Sequence, residues 1–226
     1  MRIRGYKIEP NAQLVGADLS SADLSRADLK GANLESADLS NANLENADLE
    51  GANIQGANLQ GANLHWAYLA NAELTGANLS HSKLSHANLS HANLDDALLI
   101  GANLENANLQ WAYLEGAKLR SASLIAANLY GVNASSGCYA RDVVTNFEFA
   151  NLTDSNLCLA ILDGTRFNGA NLTRASFSGT TIRNTDFTNA ILTGATFVNT
   201  EPLTNAILTG ATLPDGTIYD VSKPVF

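Results

Sequence analysis

The chain has 226 residues and a formal net charge of −9 at pH 7, and its apolar content is dominated by Ala and Leu. An acidic chain is poorly suited to binding nucleic acid, because such binding depends on neutralising phosphates. Its uninterrupted apolar runs are also too short to form a membrane-spanning helix, which excludes membrane insertion.

Residues 1–13 come before the repetitive part of the chain and combine apolar side chains (Ile3, Tyr6, Ile8) with basic ones. Since the first coil of a repeat structure exposes unpaired strand edges, we predict that this segment is a short β-like cap. It lacks the apolar stretch of a signal peptide, so a cytoplasmic location is expected. A thylakoid-lumen or periplasmic location stays open if a signal peptide has been removed.

A period of five residues governs the chain from Leu14 to Leu129. Every fifth residue is Leu, except Ile54, and a small residue, usually Ala, stands two positions before it. On an α-helix this spacing would distribute Leu over every face, since five residues turn through about 500°. On a straight strand an odd period would send successive Leu to opposite faces. The pattern fits only a chain that turns a corner once per pentad, so we predict an all-β solenoid over residues 14–132.

Consecutive pentads resemble the pentapeptide repeat proteins: Ala17-Asp18-Leu19, Ala22-Asp23-Leu24, Ala27-Asp28-Leu29, Ala32-Asn33-Leu34. The Leu-centred repeats are more similar to cyanobacterial and plastid members than to the Phe-rich quinolone-resistance branch. The resemblance implies a right-handed quadrilateral β-helix with four pentads per coil, in which residues i and i+20 stack. It implies little about activity, because most members of the family have no assigned biochemical function.

The predicted interior is narrow and filled by Leu and Ala from all four sides. Close-packed interiors contain few voids, whereas small-molecule sites require a cleft or cavity. We therefore expect no cofactor and no ligand site inside the solenoid.

The repeat stops after Leu129 and resumes in a new phase at Phe147, which predicts a protruding loop at residues 133–146. Long loops on a repeat scaffold often carry function, so a protein partner is expected to contact this one. A neutral insertion, or a segment that stays in the ladder, is the alternative. The loop residues proposed to bind the partner are Cys138, Tyr139, Arg141 and Asp142.

Only two cysteines are present, Cys138 and Cys158. Two cysteines in a chain of this length do not make a disulfide framework, so we predict free thiols. A single disulfide between the loop and the next coil is the alternative.

The second repeat segment covers residues 147–213. Four of its centres are Phe (Phe167, Phe177, Phe187, Phe197) and alternate with aliphatic centres, so their rings should enter the core from opposite faces. A one-residue shift at Glu201-Pro202 precedes the last centres. Residues 214–226 are predicted to cap the last coil of a monomer, and a weak end-to-end dimer is the alternative.

Histidines at a spacing of five (His81, His86, His91) suggest a metal site, but this spacing places them at successive corners that point in different directions. Zinc requires ligands about 2 Å from one point, so no metal site is predicted. Stacking by 20 instead places Trp66 beside His86 and His91 beside Trp111. These pairs are a candidate interaction surface, since Trp is enriched at binding hot spots. The alternative is that the rings only cover their own neighbours.

The sequence shows no phosphate-binding loop, nucleophile elbow or catalytic triad. We therefore predict a non-enzymatic scaffold for an unidentified protein partner; a small-molecule or metal-dependent enzyme is a remote alternative. Some members of the family bind DNA gyrase by mimicking DNA, and the acidic opening coils raise this second possibility. The predicted acidic patch comprises Asp18, Asp23, Asp28, Asp38, Asp48 and Glu50.

Overall fold

The computed structural model describes residues 2–135, 144–200 and 205–220. Most of this part is a ladder of isolated parallel β-bridges, which begins with the pair Gln13 and Asn33 and joins residues 20 apart. A bridge recurs every five residues, so each coil has four sides. We number the faces by the bridged columns that start at Gln13 (first face), Asp18 (second), Asp23 (third) and Asp28 (fourth). Each edge is named by the two faces that it joins.

Every pentad combines a short bridged segment with a tight corner. At the first corner, the N–H of Ala17 donates to the carbonyl of Leu14 at 3.0 Å, and Gly16 has a φ of 62°. A positive φ at the third residue is typical of type II turns. The N–H of Leu19 donates to the carbonyl of Asp38 in the next coil at 2.7 Å. Corner and ladder bonds together pair the backbone groups that this fold removes from water.

The core is a column of Leu and Ala side chains. The centres from Leu14 to Leu129 are at most 2 % exposed, as is the Ile at position 54. Beyond them, Phe147, Phe167 and Phe187 stack from the second face, with ring centroids 5.0 and 5.3 Å apart. Phe177 enters from the opposite, fourth face and meets Phe187 edge-on at 6.2 Å. The rings therefore meet in the middle of the rod, as the alternation of Phe with aliphatic centres predicts.

The register of the ladder changes at the predicted loop. Lys118 pairs with Asn146, 28 residues away, which is eight more than the usual 20. Asn133 still pairs with Tyr113 in the usual register. Both ends of the predicted loop, Asn133 and Asn146, thus belong to the ladder, so the bounds 133–146 are too wide.

The remaining loop residues, 136–143, lie outside the described residues. They include all four proposed contact residues: Cys138, Tyr139, Arg141 and Asp142.

Both ends of the rod are covered by antiparallel pairing. The strands β1 (Arg2–Ile3) and β2 (Tyr6–Lys7) form a hairpin, and Ile3 and Tyr6 pack against the core.

At the C-terminal end, Asp186 pairs with Ile207 at a spacing of 21, which matches the one-residue shift expected from the sequence. An antiparallel bridge joins Thr212 and Ile218, and Tyr219 packs on the core. Residues 201–204 and 221–226 lie outside the described part.

Candidate functional site

The candidate binding residues of this rod lie on its outer surface, because its interior is filled. Leu64, at the middle of the first repeat segment, is fully buried, and the small Ala62 fills the space beside it. The surface does contain an open, polar depression of about 240 Å³ on the third face and its corner. It is lined by Ser25, Arg26, Asn43, Glu45 and Asn46. Any binding by the rod is therefore expected to use side chains on its faces and edges.

The three regularly spaced histidines lie on three different edges. His81 is on the second–third edge, His86 on the third–fourth edge and His91 on the fourth–first edge, each one pentad and a quarter turn from the last. Across the described ranges, no three His, Cys, Asp or Glu side chains converge as metal ligands would.

Large side chains occupy several strained corners. The corner residue of the pentad has a positive φ, which costs a residue other than glycine about 1–3 kcal/mol. Gly, Asn and Ser fill most corners, yet Trp66, Trp111 and Leu159 each adopt a φ of 58°. These side chains are 45–49 % exposed, so the core gains little from them. The fold requires a positive φ at every corner but does not require a large apolar side chain there, so these residues are candidates for an interaction with another molecule.

The two tryptophans belong to the same short motif, Trp-Ala-Tyr-Leu, which begins at Trp66 and again at Trp111. The motifs are 45 residues apart, which is two coils and one pentad, so the second lies a quarter turn further around the rod. Trp66 stands on the third–fourth edge with Tyr68 on the fourth face. Trp111 stands on the fourth–first edge with Tyr113 on the first face.

In the first motif, one face of the Trp66 ring is covered by its own chain. His86 stacks on Trp66 with centroids 4.2 Å apart and planes 8° apart, so the predicted pair is brought together. His65 lies edge-on to both rings, at 5.7 Å from Trp66 and 5.6 Å from His86. These contacts fit the alternative interpretation, in which the rings stabilise the edge of the rod.

In the second motif, the Trp111 ring leans over Gly131 in the following coil. A Cβ on Gly131 would lie 2.4 Å from two carbons of that ring. Tyr130 meets Trp111 edge-on, with centroids 5.4 Å apart. His91 shares the edge with Trp111, as expected, but the indole extends away from it, towards the next coil.

An apolar surface continues from Trp111 along the rod. Leu159 is 46 % exposed on the same edge, and Ile161 is 42 % exposed on the first face, two coils beyond Tyr113. Two coils correspond to about 10 Å at the usual interstrand spacing. We call this surface the Trp111 strip; it consists of Trp111, Tyr113, Tyr130, Leu159 and Ile161.

Sequence reasoning missed Leu159 and Ile161. A usable signal was present for Leu159, because a bulky side chain stands where the pentad pattern places Gly, Asn or Ser.

The acidic residues of the opening coils do not form one patch. The carboxylates of the predicted patch are distributed over the second face (Asp18, Asp38), the third face (Asp23), the fourth face (Asp28, Asp48) and the fourth–first edge (Glu50). Several also have local partners: Arg4 pairs with Asp18, and Lys30 pairs with Glu50 at 2.6 Å. The N–H of Ser40 donates to Asp38 at 3.0 Å and lowers the pKa of that carboxyl.

A second acidic group borders the first face. Asp95, Asp96 and Glu115 lie on the first–second edge, and Glu73 lies on the first face itself. Burial raises the pKa of Asp95, and the nearby carboxylates of Glu115, Asp96 and Glu73 add to the rise. The N–H of Glu115, which donates to Asp95 at 2.8 Å, opposes this rise without cancelling it.

The thiol of Cys158 is free and lies 3.0 Å from the hydroxyl of Ser176. Cys138, its possible disulfide partner, is among the residues outside the described part.

The family model for pentapeptide repeats matches the chain in eight copies. The copies cover residues 12–51, 27–65, 47–85, 62–101, 82–120, 102–136, 145–179 and 170–201. The chain is a pentapeptide repeat protein. Members of this family fold as right-handed quadrilateral β-helices, and the family and fold expected from the sequence are confirmed.

Solved pentapeptide repeat structures resemble the chain to different degrees. HetL from the cyanobacterium Nostoc sp. strain PCC 7120, which is involved in the regulation of heterocyst differentiation, is 31% identical, with a TM-score of 0.77 over 94% of this chain and 92% of HetL. A trypsin-treated variant of QnrB1, a plasmid-mediated fluoroquinolone resistance protein, is 16% identical, with a TM-score of 0.48 over 79% of this chain and 91% of QnrB1.

A pentapeptide repeat protein from the Arabidopsis thaliana thylakoid lumen is 29% identical, with a TM-score of 0.22 over 53% of this chain and 70% of that protein. Of these three structures, only HetL is similar enough to this chain to bear on its function. A comparison with curated proteins gave no match. Within the described ranges, no helix has the length and apolar character needed to cross a membrane.

Proposed function

We propose that this pentapeptide repeat protein is a non-enzymatic scaffold that binds a partner protein through its outer surface. The observation that carries the proposal is the exposed Trp-Ala-Tyr motif at Trp111. Its indole sits on a strained corner, and Tyr113 beside it is 51 % exposed. Aromatic side chains that the core does not need are typical of binding hot spots.

The scaffold is well suited to binding with little reorganisation. Ladder and corner hydrogen bonds hold each face in a fixed conformation from one coil to the next. A partner that docks on such a preorganised surface loses less free energy to ordering it than a partner that docks on a mobile loop.

The likeness to HetL supports a regulatory context for such a scaffold. HetL is of similar extent, since the match covers 92% of it, and it is involved in regulating heterocyst differentiation. We extend only the general role, a part in regulation, to the present chain. The loop residues 136–143 stay a second proposed contact region, and the proposal does not depend on them.

Mimicry of DNA gains no support from the positions of the acidic residues. The carboxylates of the predicted acidic patch lie on three faces and one edge, and two of them are paired with basic side chains. A duplex presents a continuous row of charge, about one per 1.7 Å of its axis. We therefore propose no second function.

The proposal is tested by affinity capture from the source organism, followed by titration of the purified captured protein against this chain. We expect saturable binding at a defined stoichiometry, with no need for nucleic acid. An unrelated β-solenoid of similar charge is the control bait. If no protein is retained above that control, or if the purified protein fails to bind, the scaffold proposal is wrong.

A further inference from the structure

We propose that the Trp111 strip and the acidic edge beside it form the docking surface for an extended basic segment of the partner protein. This inference rests on the proposed scaffold function and specifies its surface and the chemistry of its ligand.

Charge is segregated around the rod at the level of the strip. The described lysines and arginines between residues 70 and 164 are Lys83, Lys118 and Arg120, and all lie on the second face, the third face or the edge between them. Five of the eight described carboxylates in the same range lie on the first face or its edge with the second face: Glu73, Asp95, Asp96, Glu115 and Asp163. The other three (Glu105, Glu148, Asp154) share the remaining surface with the basic side chains, and Arg183 lies one coil beyond Asp163 on the same edge. The potential over the first face is therefore negative, which favours a cationic ligand.

The two kinds of side chain lie on opposite borders of the first face. Trp111, Tyr130 and Leu159 occupy the fourth–first edge, whereas most of the carboxylates occupy the first–second edge. The apolar row covers two coils, from Trp111 to Leu159. On the other border, Ser135 and Val144 flank residues 136–143, which lie outside the described part, between Glu115 and Asp163. The carboxylate row runs from the coil of Asp95 to the coil of Asp163. This distance is three coils, or about 14 Å at the usual interstrand spacing.

Two parallel rows of different chemistry match an extended chain. Successive side chains of a strand point to opposite sides, so a segment lying along the first face would send alternate residues to each border. Apolar residues would contact the Trp111 strip, and Arg or Lys would reach the carboxylates. Arg also gains from stacking on the exposed aromatic rings.

Burial of Asp95 adds a reason for a cation to bind here. Its carboxylate lies among three other acidic side chains and is held by the N–H of Glu115 at 2.8 Å. Asp95 is only partly buried, so a guanidinium placed over this group would reach its carboxylate and relieve the repulsion.

The first Trp-Ala-Tyr motif, at Trp66, does not combine an apolar strip with a neighbouring acidic edge, so it provides a matched control. Trp66 and Tyr68 have the same sequence context and similar exposure, 49 % and 56 %. The Trp66 ring, however, is stacked on His86, and the fourth face continues beyond Tyr68 with Asn88. A surface that requires only an exposed Trp-Ala-Tyr motif would be present in both places.

The test is fluorescence anisotropy with a fluorescein-labelled nine-residue peptide in which Arg alternates with Leu. We expect saturable binding that weakens with added salt. The paired substitution Trp111→Ala/Tyr113→Ala should weaken binding at least 10-fold, as loss of a hot spot does. The matched pair Trp66→Ala/Tyr68→Ala should change it less than about 2-fold, since surface changes away from a site have small effects. Asp95→Asn/Asp96→Asn should weaken binding and flatten its salt dependence.

Two control peptides separate the contributions of charge and apolar contact. Replacing Arg by Glu should abolish binding, and replacing Leu by Ser should weaken it. Equal binding of the Ser peptide, equal loss with both paired substitutions, or no binding of the Arg–Leu peptide would each overturn the inference. If Trp111→Ala lowers thermal stability, Trp111→Gly is the substitute, because glycine suits the φ of 58° at this corner.

Sedimentation velocity tests whether a second copy of the chain, and not a partner protein, occupies the Trp111 strip. A dimer that disappears with Trp111→Ala/Tyr113→Ala would assign the strip to self-association and contradict the proposal. Binding of the partner captured from the source organism distinguishes a failure of the docking surface from a failure of the scaffold function. If that partner binds Trp111→Ala/Tyr113→Ala as tightly as the unchanged protein, the scaffold function stands and the docking surface is wrong.

Discussion

At the scale of single residues, the corner of the pentad determines what the surface can carry. A large side chain at a corner leans over the same corner of the following coil, and Gly131 beneath Trp111 is the clearest case. The residue type at one corner therefore restricts the residue type 20 positions later.

This dependence predicts the effect of Gly131→Ala. The added methyl group meets a positive φ and would also lie 2.4 Å from the Trp111 ring. Gly51→Ala is the control, since Gly51 has a similar φ and nothing within 4 Å of the added group. We expect Gly51→Ala to lower the free energy of unfolding by about 1 kcal/mol, and Gly131→Ala to lower it further. Thermal melts of both variants, and of Trp111→Gly/Gly131→Ala, provide the measurement. Equal losses for the two single variants would show that the ring does not rest on Gly131.

Asp95 and Asp38 predict opposite responses to pH. The pKa of Asp95 is raised above its ordinary value of 3.8, so the folded state binds a proton more tightly than the unfolded state does. The contribution of Asp95 to stability therefore falls as pH rises from 3.8 through the raised pKa. The pKa of Asp38 is lowered, so its contribution is present above 3.8 and is lost as pH falls through the lowered pKa.

The asparagine variants test these signs, because Asn keeps the accepting oxygen. At pH 7, Asp95→Asn should raise the melting temperature, and Asp38→Asn should lower it slightly. Both differences should vanish under acid conditions, where the two aspartates are protonated in the folded and unfolded chains alike. A lower melting temperature for Asp95→Asn at pH 7 would contradict the raised pKa of Asp95.

At the scale of structural elements, the coil was predictable from the sequence because residues 20 positions apart stack in successive coils. Counting by 20 from Trp66 leads to His86, and these rings do stack, with centroids 4.2 Å apart. The same rule does not lead from Tyr113 to Ile161, because eight additional residues separate the coils between them. The Trp111 strip thus crosses a change of register, and counting by 20 could not identify it as one surface.

The Phe column provides a prediction for the core. Phe167 is fully buried between Phe147 and Phe187, with centroids 5.0 and 5.3 Å away. Phe167→Ala should lower the free energy of unfolding by about 3–5 kcal/mol, through lost burial and the cavity it leaves. Phe149 is 57 % exposed, so Phe149→Ala should change the free energy of unfolding by less than about 0.5 kcal/mol. Urea denaturation of both variants is the measurement, and similar losses would contradict the assignment of the two rings.

At the scale of the whole molecule, the rod tolerates an interruption only if the phase of the pentads is restored. Ser135 and Val144 flank the eight residues beyond the usual 20, and Thr145 then re-enters the core and donates to the carbonyl of Leu114 at 2.7 Å. Joining Ser135 to Val144 would restore the usual spacing.

We therefore predict that deletion of 136–143, combined with Val144→Gly at the new corner, gives a folded protein of nearly unchanged melting temperature. Deletion of 135–145 should destabilise the rod strongly, because it removes the buried Thr145 and shifts the second segment out of phase. Circular dichroism melts compare the two deletions. Unfolding of the shorter deletion would mean that the eight residues contribute to the stability of the rod.

The four-sided coil also couples chain length to orientation. Adding one pentad inside the rod would leave Leu and Ala in the core, yet it would turn every later residue by a quarter of a revolution relative to the N-terminal coils. The two Trp-Ala-Tyr motifs already differ by such an angle, since 45 residues separate them. Insertions of five residues would therefore change the angle between two surfaces about the rod axis and leave the side chains of both surfaces unchanged. The molecule gives protein engineers a way to set the angle between two binding surfaces in steps of about 90°, because four pentads complete each coil.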